Sequence, residues 1–410
     1  MDPPSREMLP FFKDPKIKIS VWTIIKDSIG KDLTKMSVPV YFNDPANILQ
    51  KCATSMEYVD ILDKAIKCKD PMKRLAIVAT YVITNLTCLE RNATKPFNPL
   101  LGETYELVTE NFRFIAEQVS HHPPVTALDC QGKSGYHVWS CNRAKTKFNG
   151  KNILVQPTYK YYVELGPAQN NERYEFDLPT IYANNLIIGT MYFDLGGNTV
   201  VKNLTRPNEV CHLTFHKRGW TEASYYLFDG EVYANGGGKK DTPVMRLEGK
   251  WNSQVTLVNE KTKEKELLWT KDPYHEQWEM MYGFSKFMVN LNYFPRQLKS
   301  VIAPTDTRWR PDQRALENGD MKMAASEKTR LEEKQRAVRR YNEHNAIEHK
   351  PFYFEEWAKP DDDNQIYFRY NGTYWDKDRK EKDWSRLPDL YSETLPPEIQ
   401  AFTDADNKKE

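Results

Sequence analysis

The hydrophobic period of this chain changes twice, and the changes divide it into three parts. Between residues 46 and 92 apolar positions recur at helical spacing, first from Ile48-Leu49 through Leu62 and then from Met72 through Leu89, giving two or three helices. From about 103 to 270 the pattern becomes alternating Tyr, Val, Ile and Phe, cut by turn signals such as Gln131-Gly132-Lys133, Gly196-Gly197-Asn198 and Asn235-Gly236-Gly237-Gly238. At about 10–12 residues per strand and turn, this stretch holds on the order of fifteen strands. After 275 helices return: Met280–Leu291 is apolar enough to be buried, and Ala324–Tyr341 is charged and periodic. The run Gln365–Trp375 predicts a terminal hairpin around Asn371-Gly372. At the other end, residues 1–14 are proline-rich and expected to be loose. Ser20 is the candidate N-cap of a helix with Val21, Ile24, Ile25 and Ile29 at helical spacing.

So many antiparallel strands, with few helices to cover them, must curl or split. A closed barrel of that size leaves a lumen its own side chains cannot fill, so it requires a ligand or a plug. A sandwich of two sheets satisfies the same pattern. Either way the fold class is mainly β with helical additions, and no linker or internal repeat separates independent domains.

Composition narrows the function. With 410 residues, 40% hydrophobic and 12% aromatic, the chain can bury a large core. A formal charge of +1 supplies no global field to recruit nucleic acid. Met1–Arg6 has neither the basic nor the apolar region of a signal peptide, and no stretch reaches membrane-spanning length. Cysteines 52, 68, 88, 130, 141 and 211 show no CxxC pairing, as expected of reduced thiols. A soluble cytosolic protein is the expectation, taken here as a monomer without cofactor. Enzyme signatures are also missing: Gly283–Phe287 lacks the second glycine of a nucleophile elbow, Ser28-Ile29-Gly30-Lys31 lacks its companion motifs, and His275–Glu279 is not HExxH.

Three segments carry candidate chemistry. In Lys95-Pro96-Phe97-Asn98-Pro99-Leu100-Leu101-Gly102-Glu103 two prolines stiffen a loop, so Lys95 and Asn98 can present donors without helix or strand around them. A polar connector would look the same. In Glu117-Gln118-Val119-Ser120-His121-His122-Pro123-Pro124-Val125 an extended run ends in two imidazoles and two prolines that cannot donate to a ladder. Successive strand residues face opposite ways, so both histidines meet one ligand only if the strand end twists. Beside a phosphate each becomes a double donor. A metal site lacks a third ligand. Cys211-His212 and His216 read as structure, the two histidines being about 13 Å apart along a strand. Lastly, Lys328, Glu332 and Arg336 share one helical face, either as a solvated ion-pair ladder or as an anion clamp.

Taken together, Lys95–Glu103, Glu117–Val125, and Lys328–Arg336 following Arg308-Trp309-Arg310-Pro311-Asp312-Gln313-Arg314 resemble the motifs of the oxysterol-binding protein-related family, in family order. The similarity spans about residues 16–392. It implies a large incomplete antiparallel β-barrel around a central lipid tunnel, with an N-terminal lid (about 16–38), a helical subdomain (45–95), the barrel (103–270), a C-terminal region (275–392) and a tail (393–410). It further implies that Lys95, Asn98, Glu103, His121, His122, Lys328, Glu332 and Arg336 bind the headgroup of phosphatidylinositol 4-phosphate. Trp22, Ile24, Ile25, Ile29, Leu33 and Thr34 would belong to the lid. The expected function is exchange of that lipid for a second one, a sterol or else phosphatidylserine, between membranes that the cytosolic protein touches transiently. A lipid sensor without net transport is the alternative. The chain resembles a short member without a pleckstrin-homology domain, and Phe11-Phe12-Lys13-Asp14 only faintly resembles a receptor-binding tract.

Overall fold

The computed structural model describes residues 5–13, 22, 26, 38–90, 94–187, 190–357 and 366–406. Its centre is an antiparallel sheet of fifteen strands, as the alternating pattern predicts. Twelve follow one hydrogen-bonded path, from Lys265–Thr270 at one edge to Thr104–Val108 at the other, and along the described path the sheet does not close. Three more, Ala144–Phe148, Ile153–Pro157 and Thr180–Asn184, form a flap. The flap hangs on the long strand Tyr192–Asn203, whose first half pairs with Thr180–Asn184 and whose second half pairs with Val210–Phe215.

The central strands are buried on both faces, which is why their sequences read as nearly continuous apolar runs. Along Phe112–His121 the two-residue period splits them: Phe112, Phe114 and Ala116 join the main core, while Ile115 joins a second core. The main core is shared with the helix Pro71–Thr84, which packs across five strands of the sheet and is buried continuously from Arg74 to Thr84. Such a helix has no polar stripe because no face meets water. Its start is specified locally by Pro71 in the first turn and by Asp70, whose carboxylate caps the amides of Met72 and Lys73 at 2.8 and 3.2 Å. The second core is closed by Tyr353, Phe354, Tyr367, Phe368 and Tyr374. Glu117 fastens that cover, accepting the amides of Phe352 at 2.8 Å and Tyr353 at 2.9 Å. Burial pushes its carboxyl up to about 7 against those two donors.

Several local expectations are corrected. Residues 5–13 are tied down: Leu9 is in the main core, the Arg6 amide donates to Asn290 Oδ1 at 2.8 Å, and the Arg6 guanidinium reaches the Val289 carbonyl and Glu317. The Met280–Leu291 helix is broken by left-handed Tyr282 and Gly283, leaving a 3-10 turn at Trp278–Met281 and a short helix at Lys286–Asn290. Tyr367–Tyr370 pairs back onto Phe354–Trp357, so Asn371-Gly372 is no hairpin turn and leads into a π-helical turn at Tyr374–Asp378. Lys95–Phe97 is a short strand parallel to Asn43–Asn47 rather than a free loop. The charged helix is longer than its periodicity suggests, running Met321–His344. No helix among the described residues is long and apolar enough to cross a membrane. The six cysteines are free.

Candidate functional site

Segments far apart in sequence meet around one cleft of about 1100 Å³. Lys95, Asn98, His121, His122, Lys328, Glu332 and Arg336 line it, together with Arg310, Arg339 and His349, and the stretch Pro388–Ile399 closes one side.

The lysine loop is held from its backbone. Asn43 Nδ2 donates to the carbonyls of Lys95 and Pro96 at 2.9 and 3.4 Å, and Lys95 Nζ donates to Asn98 Oδ1 at 2.6 Å. Burial, and after it the Lys328 charge, push the Lys95 ammonium down to about 8, with Glu332 and Asp44 working the other way. Two cations thus compete across one wall of the cleft.

The histidine pair sits in the tight turn of a hairpin, with His121 in register with Pro124 and the His122–Pro123 peptide cis. The pairing slips between Gln118 and Ser120, so a bulge breaks strict alternation just before the histidines. That resolves how neighbouring residues reach one cleft. Gln118 Nε2 donates to the Ser120 carbonyl at 2.7 Å, and Ser120 Oγ donates to the Pro123 carbonyl at 2.7 Å, bracing the turn. The two rings meet edge-on with centroids 4.9 Å apart. His121 Nδ1 is buried without a hydrogen-bond partner among the described residues. Burial, and then the neighbouring His122 and Arg339, push this ring down to about 4, so it is neutral at pH 7. His122 Nε2 accepts from Arg339 Nη1 at 2.8 Å.

On the long helix Lys328 Nζ donates to the Val38 carbonyl and lies 3.6 Å from Glu332 Oε1. Burial lowers its ammonium from the ordinary lysine value. Arg336, one turn on, is exposed and has no side-chain hydrogen bond or ion pair among the described residues. Arg339 continues the same face, which makes it legible from helical spacing although sequence reasoning stopped at Arg336. Lys334 donates to the carbonyls of Asp389 and Ser392 at 3.1 and 3.0 Å, and so fastens Pro388–Ile399 alongside the helix.

Glu103 does not line the cleft. It is fully buried, and its carboxylate is consumed by three donors: Asn47 Nδ2 at 2.6 Å, the Leu100 amide at 2.8 Å and Arg310 Nη1 at 2.9 Å. Burial raises its carboxyl even so, with Arg310 opposing. Arg310 in turn forks onto Asp312 at 3.0 and 2.8 Å and donates to the Asn98 carbonyl at 2.9 Å. Glu103 therefore acts through Arg310 on the position of Asn98. Nothing in the spacing of Arg310 pointed to the cleft; only the fold brings it there.

Of the expected lid, Trp22 is described: it meets Phe148 of the flap edge-on at 6.2 Å, beside Ala183, Leu186 and Phe193. Ile24, Ile25, Ile29, Leu33 and Thr34 lie outside the described residues. Among the described residues no group of three or more His, Cys, Asp and Glu could hold a metal.

Chemically the cleft gathers hydrogen-bond donors and cations beside apolar side chains such as Val119 and Leu331, a lining suited to an anion. The family model described as oxysterol-binding protein matches residues 20–379. Oxysterol-binding protein-related protein 6 of Homo sapiens is 37% identical over 373 residues, 90% of this chain and 38% of its own length. Oxysterol-binding protein homolog 1 of Saccharomyces cerevisiae is 33% identical over 417 residues, 95% of this chain and 34% of its own. The chain thus spans little more than a third of these relatives. The crystal structure of the Osh1 ORD domain in complex with ergosterol superposes with a TM-score of 0.83 at 31% identity, covering 96% of this chain and 94% of that one. That of the Osh3 ORD in complex with PI(4)P from Saccharomyces cerevisiae gives 0.81 at 30% identity, covering 95% and 99%. By sequence and by fold, the chain belongs to the oxysterol-binding protein family.

Proposed function

We propose that this chain is a lipid-transfer module that carries phosphatidylinositol 4-phosphate with its headgroup in the cleft and exchanges it for a second lipid, a sterol. The observation that carries this is the convergence of Lys95, Asn98, His121, His122, Lys328 and Arg336, from three distant segments, on one cavity. Its likeness to one relative solved with PI(4)P and another solved with ergosterol supports both halves of the exchange. The family is one of binding proteins rather than enzymes, and no covalent step is needed.

The energetics set what such a module must do. A two-chain lipid has on the order of thirty methylenes, so exposing them to water costs roughly 24 kcal/mol. The protein must replace the bilayer with an apolar interior and a cover, for which the curled sheet and the segment around Trp22 are the candidates. Charge-assisted hydrogen bonds, each about 1.5–3 kcal/mol, then select the phosphorylated headgroup. If the acyl chains and the sterol share one interior, binding is mutually exclusive, and exchange follows at each membrane.

The test is extraction from vesicles containing phosphatidylinositol 4-phosphate. His121→Ala with His122→Ala should abolish extraction while thermal unfolding stays that of a folded protein. Undiminished extraction by a folded double variant would refute the assignment. Vesicle-to-vesicle transfer separates a carrier from a sensor, which binds without moving lipid.

A further inference from the structure

Trp220 is completely open to solvent, at 102% of its reference area, whereas the next most exposed large apolar side chain among the described residues, Leu267, reaches 59%. Tryptophan is largely buried on average, so this exposure asks for a reason. Fraying is not the reason, because the loop His216–Tyr226 is braced throughout. The Gly219 amide donates to Ser224 Oγ at 2.9 Å, and Ser224 Oγ donates to the Thr221 carbonyl at 2.6 Å. The Arg218 amide donates to Asp194 Oδ2 at 2.8 Å, and its guanidinium donates to the Tyr226 hydroxyl at 2.6 Å. Arg218 also lies 3.9 Å over the Tyr192 ring, and Lys217 3.7 Å over the Tyr182 ring. Lys217 thus holds the loop against the flap, and Arg218 holds it against the long strand beside the flap.

Strand register fixes which end of the sheet this loop occupies. His121 and Pro124 make the turn at one end, and Thr126 pairs with Asn142 just inside it. From there Ser140 pairs with Tyr161, Tyr161 with Phe176, and Glu175 with Lys202. The strand Tyr192–Asn203 starts beyond that same end and runs away from it, so its first half, where Gly197 pairs with Phe215, lies there. The Trp220 loop leaves the sheet immediately after Phe215, so it lies on the rim that carries the histidine turn. The flap projects beyond this rim, and Ile187 at its tip is 53% exposed.

We propose that Trp220 is a membrane anchor, seating the cleft-bearing rim at the boundary between headgroups and acyl chains of an anionic phospholipid bilayer. Tryptophan is enriched at that boundary because it is apolar with one polar N–H. Exposed Lys217 beside it complements an anionic surface, with Glu222 the loop's only acidic residue. A lipid can pass between bilayer and cleft without crossing water only if this rim touches the membrane. The inference rests on the proposed lipid-carrying function.

Flotation with vesicles of phosphatidylcholine and phosphatidylserine tests it. Trp220→Ala should lower the vesicle-bound fraction about tenfold, and Trp220→Phe should restore part of it. Binding of a water-soluble short-chain phosphatidylinositol 4-phosphate should be unchanged, since the cleft is untouched, and so should thermal unfolding. Flotation of Trp220→Ala equal to that of the unsubstituted chain overturns the anchor, as it would if the tryptophan served a protein partner. If the unsubstituted chain fails to bind the short-chain lipid, the cleft assignment falls, while the flotation comparison still decides the anchor.

Discussion

Two sets of cations stand next to each other in this fold and are treated in opposite ways. Arg308 and Arg310 are almost wholly buried, and every charge is matched: Arg308 forks onto Asp306 at 2.8 and 2.8 Å, Arg310 onto Asp312 and Glu103. Burial works against the charge of Arg310, but Asp312 and Glu103 outweigh it and hold its guanidinium above the ordinary arginine value. Across the cleft wall, burial lowers both Lys95 and Lys328, the Lys328 charge lowers Lys95 further, and Glu332 works against the lowering of each without outweighing it. Cations whose carboxylates outweigh burial make a rigid frame, and cations that burial still depresses gain by receiving an anion.

The comparison breaks most visibly at Arg310. Arg310→Met leaves Glu103 and Asp312 buried without their cation, and should cost about 3–5 kcal/mol of stability in urea unfolding. A loss below 1 kcal/mol would show that the frame is not electrostatic. Arg336→Ala should do the reverse. Its side chain is exposed, so stability should shift by less than about 0.5 kcal/mol, while affinity for short-chain phosphatidylinositol 4-phosphate should fall by about 1.5–3 kcal/mol, roughly ten- to a hundredfold. Equal affinity by calorimetric titration would remove Arg336 from the site.

The smallest effect is that of pH. With its ammonium pushed down to about 8, Lys95 is partly neutral above that pH. A bound phosphate favours the charged form and draws the value back up, so binding takes up a proton there. Headgroup affinity should therefore weaken, by up to about tenfold per unit, as pH rises from 8 toward 10. In the ligand-free chain the same shift acts oppositely: the cost of a charged Lys95 is present below about pH 8 and fades as pH rises toward the ordinary lysine value. Titration in two buffers of different ionisation enthalpy measures the proton directly, and no uptake at pH 8.5 would rule out Lys95 as the coupled group.

Much of this was legible beforehand. The switch from helical to alternating pattern near 103 marks where the sheet begins, because strand period and helix period are set by backbone geometry alone. Cap residues such as Asp70-Pro71 announce their helix for the same local reason. Misreadings fell where local and tertiary preference conflict. Met280–Leu291 has apolar helical content, but left-handed Tyr282 and Gly283 turn the chain there to pack Met281, Tyr282 and Phe284 in the core. Asn371-Gly372 is a strong hairpin signal, yet the better partner for Tyr367–Tyr370 lies upstream in Phe354–Trp357. At the cleft, spacing put Lys328, Glu332 and Arg336 on one face because one helix holds all three. Glu103 was put beside the headgroup by the family resemblance alone, whereas its buried carboxylate faces Arg310, more than two hundred positions away.

By itself the amino-acid order determined the local objects: a large sheet bounded by helical regions, a stiff histidine–proline turn, and one helical face bearing two cations and a carboxylate. Those follow from periodicity, capping and the fixed geometry of proline, which act within a few residues. Only the tertiary structure decided that these objects share a cleft, that Glu103 braces rather than lines it, and that Trp220 stands on the same rim. Long-range strand pairing and charge matching set such relations, and neither leaves a mark in any short window of sequence.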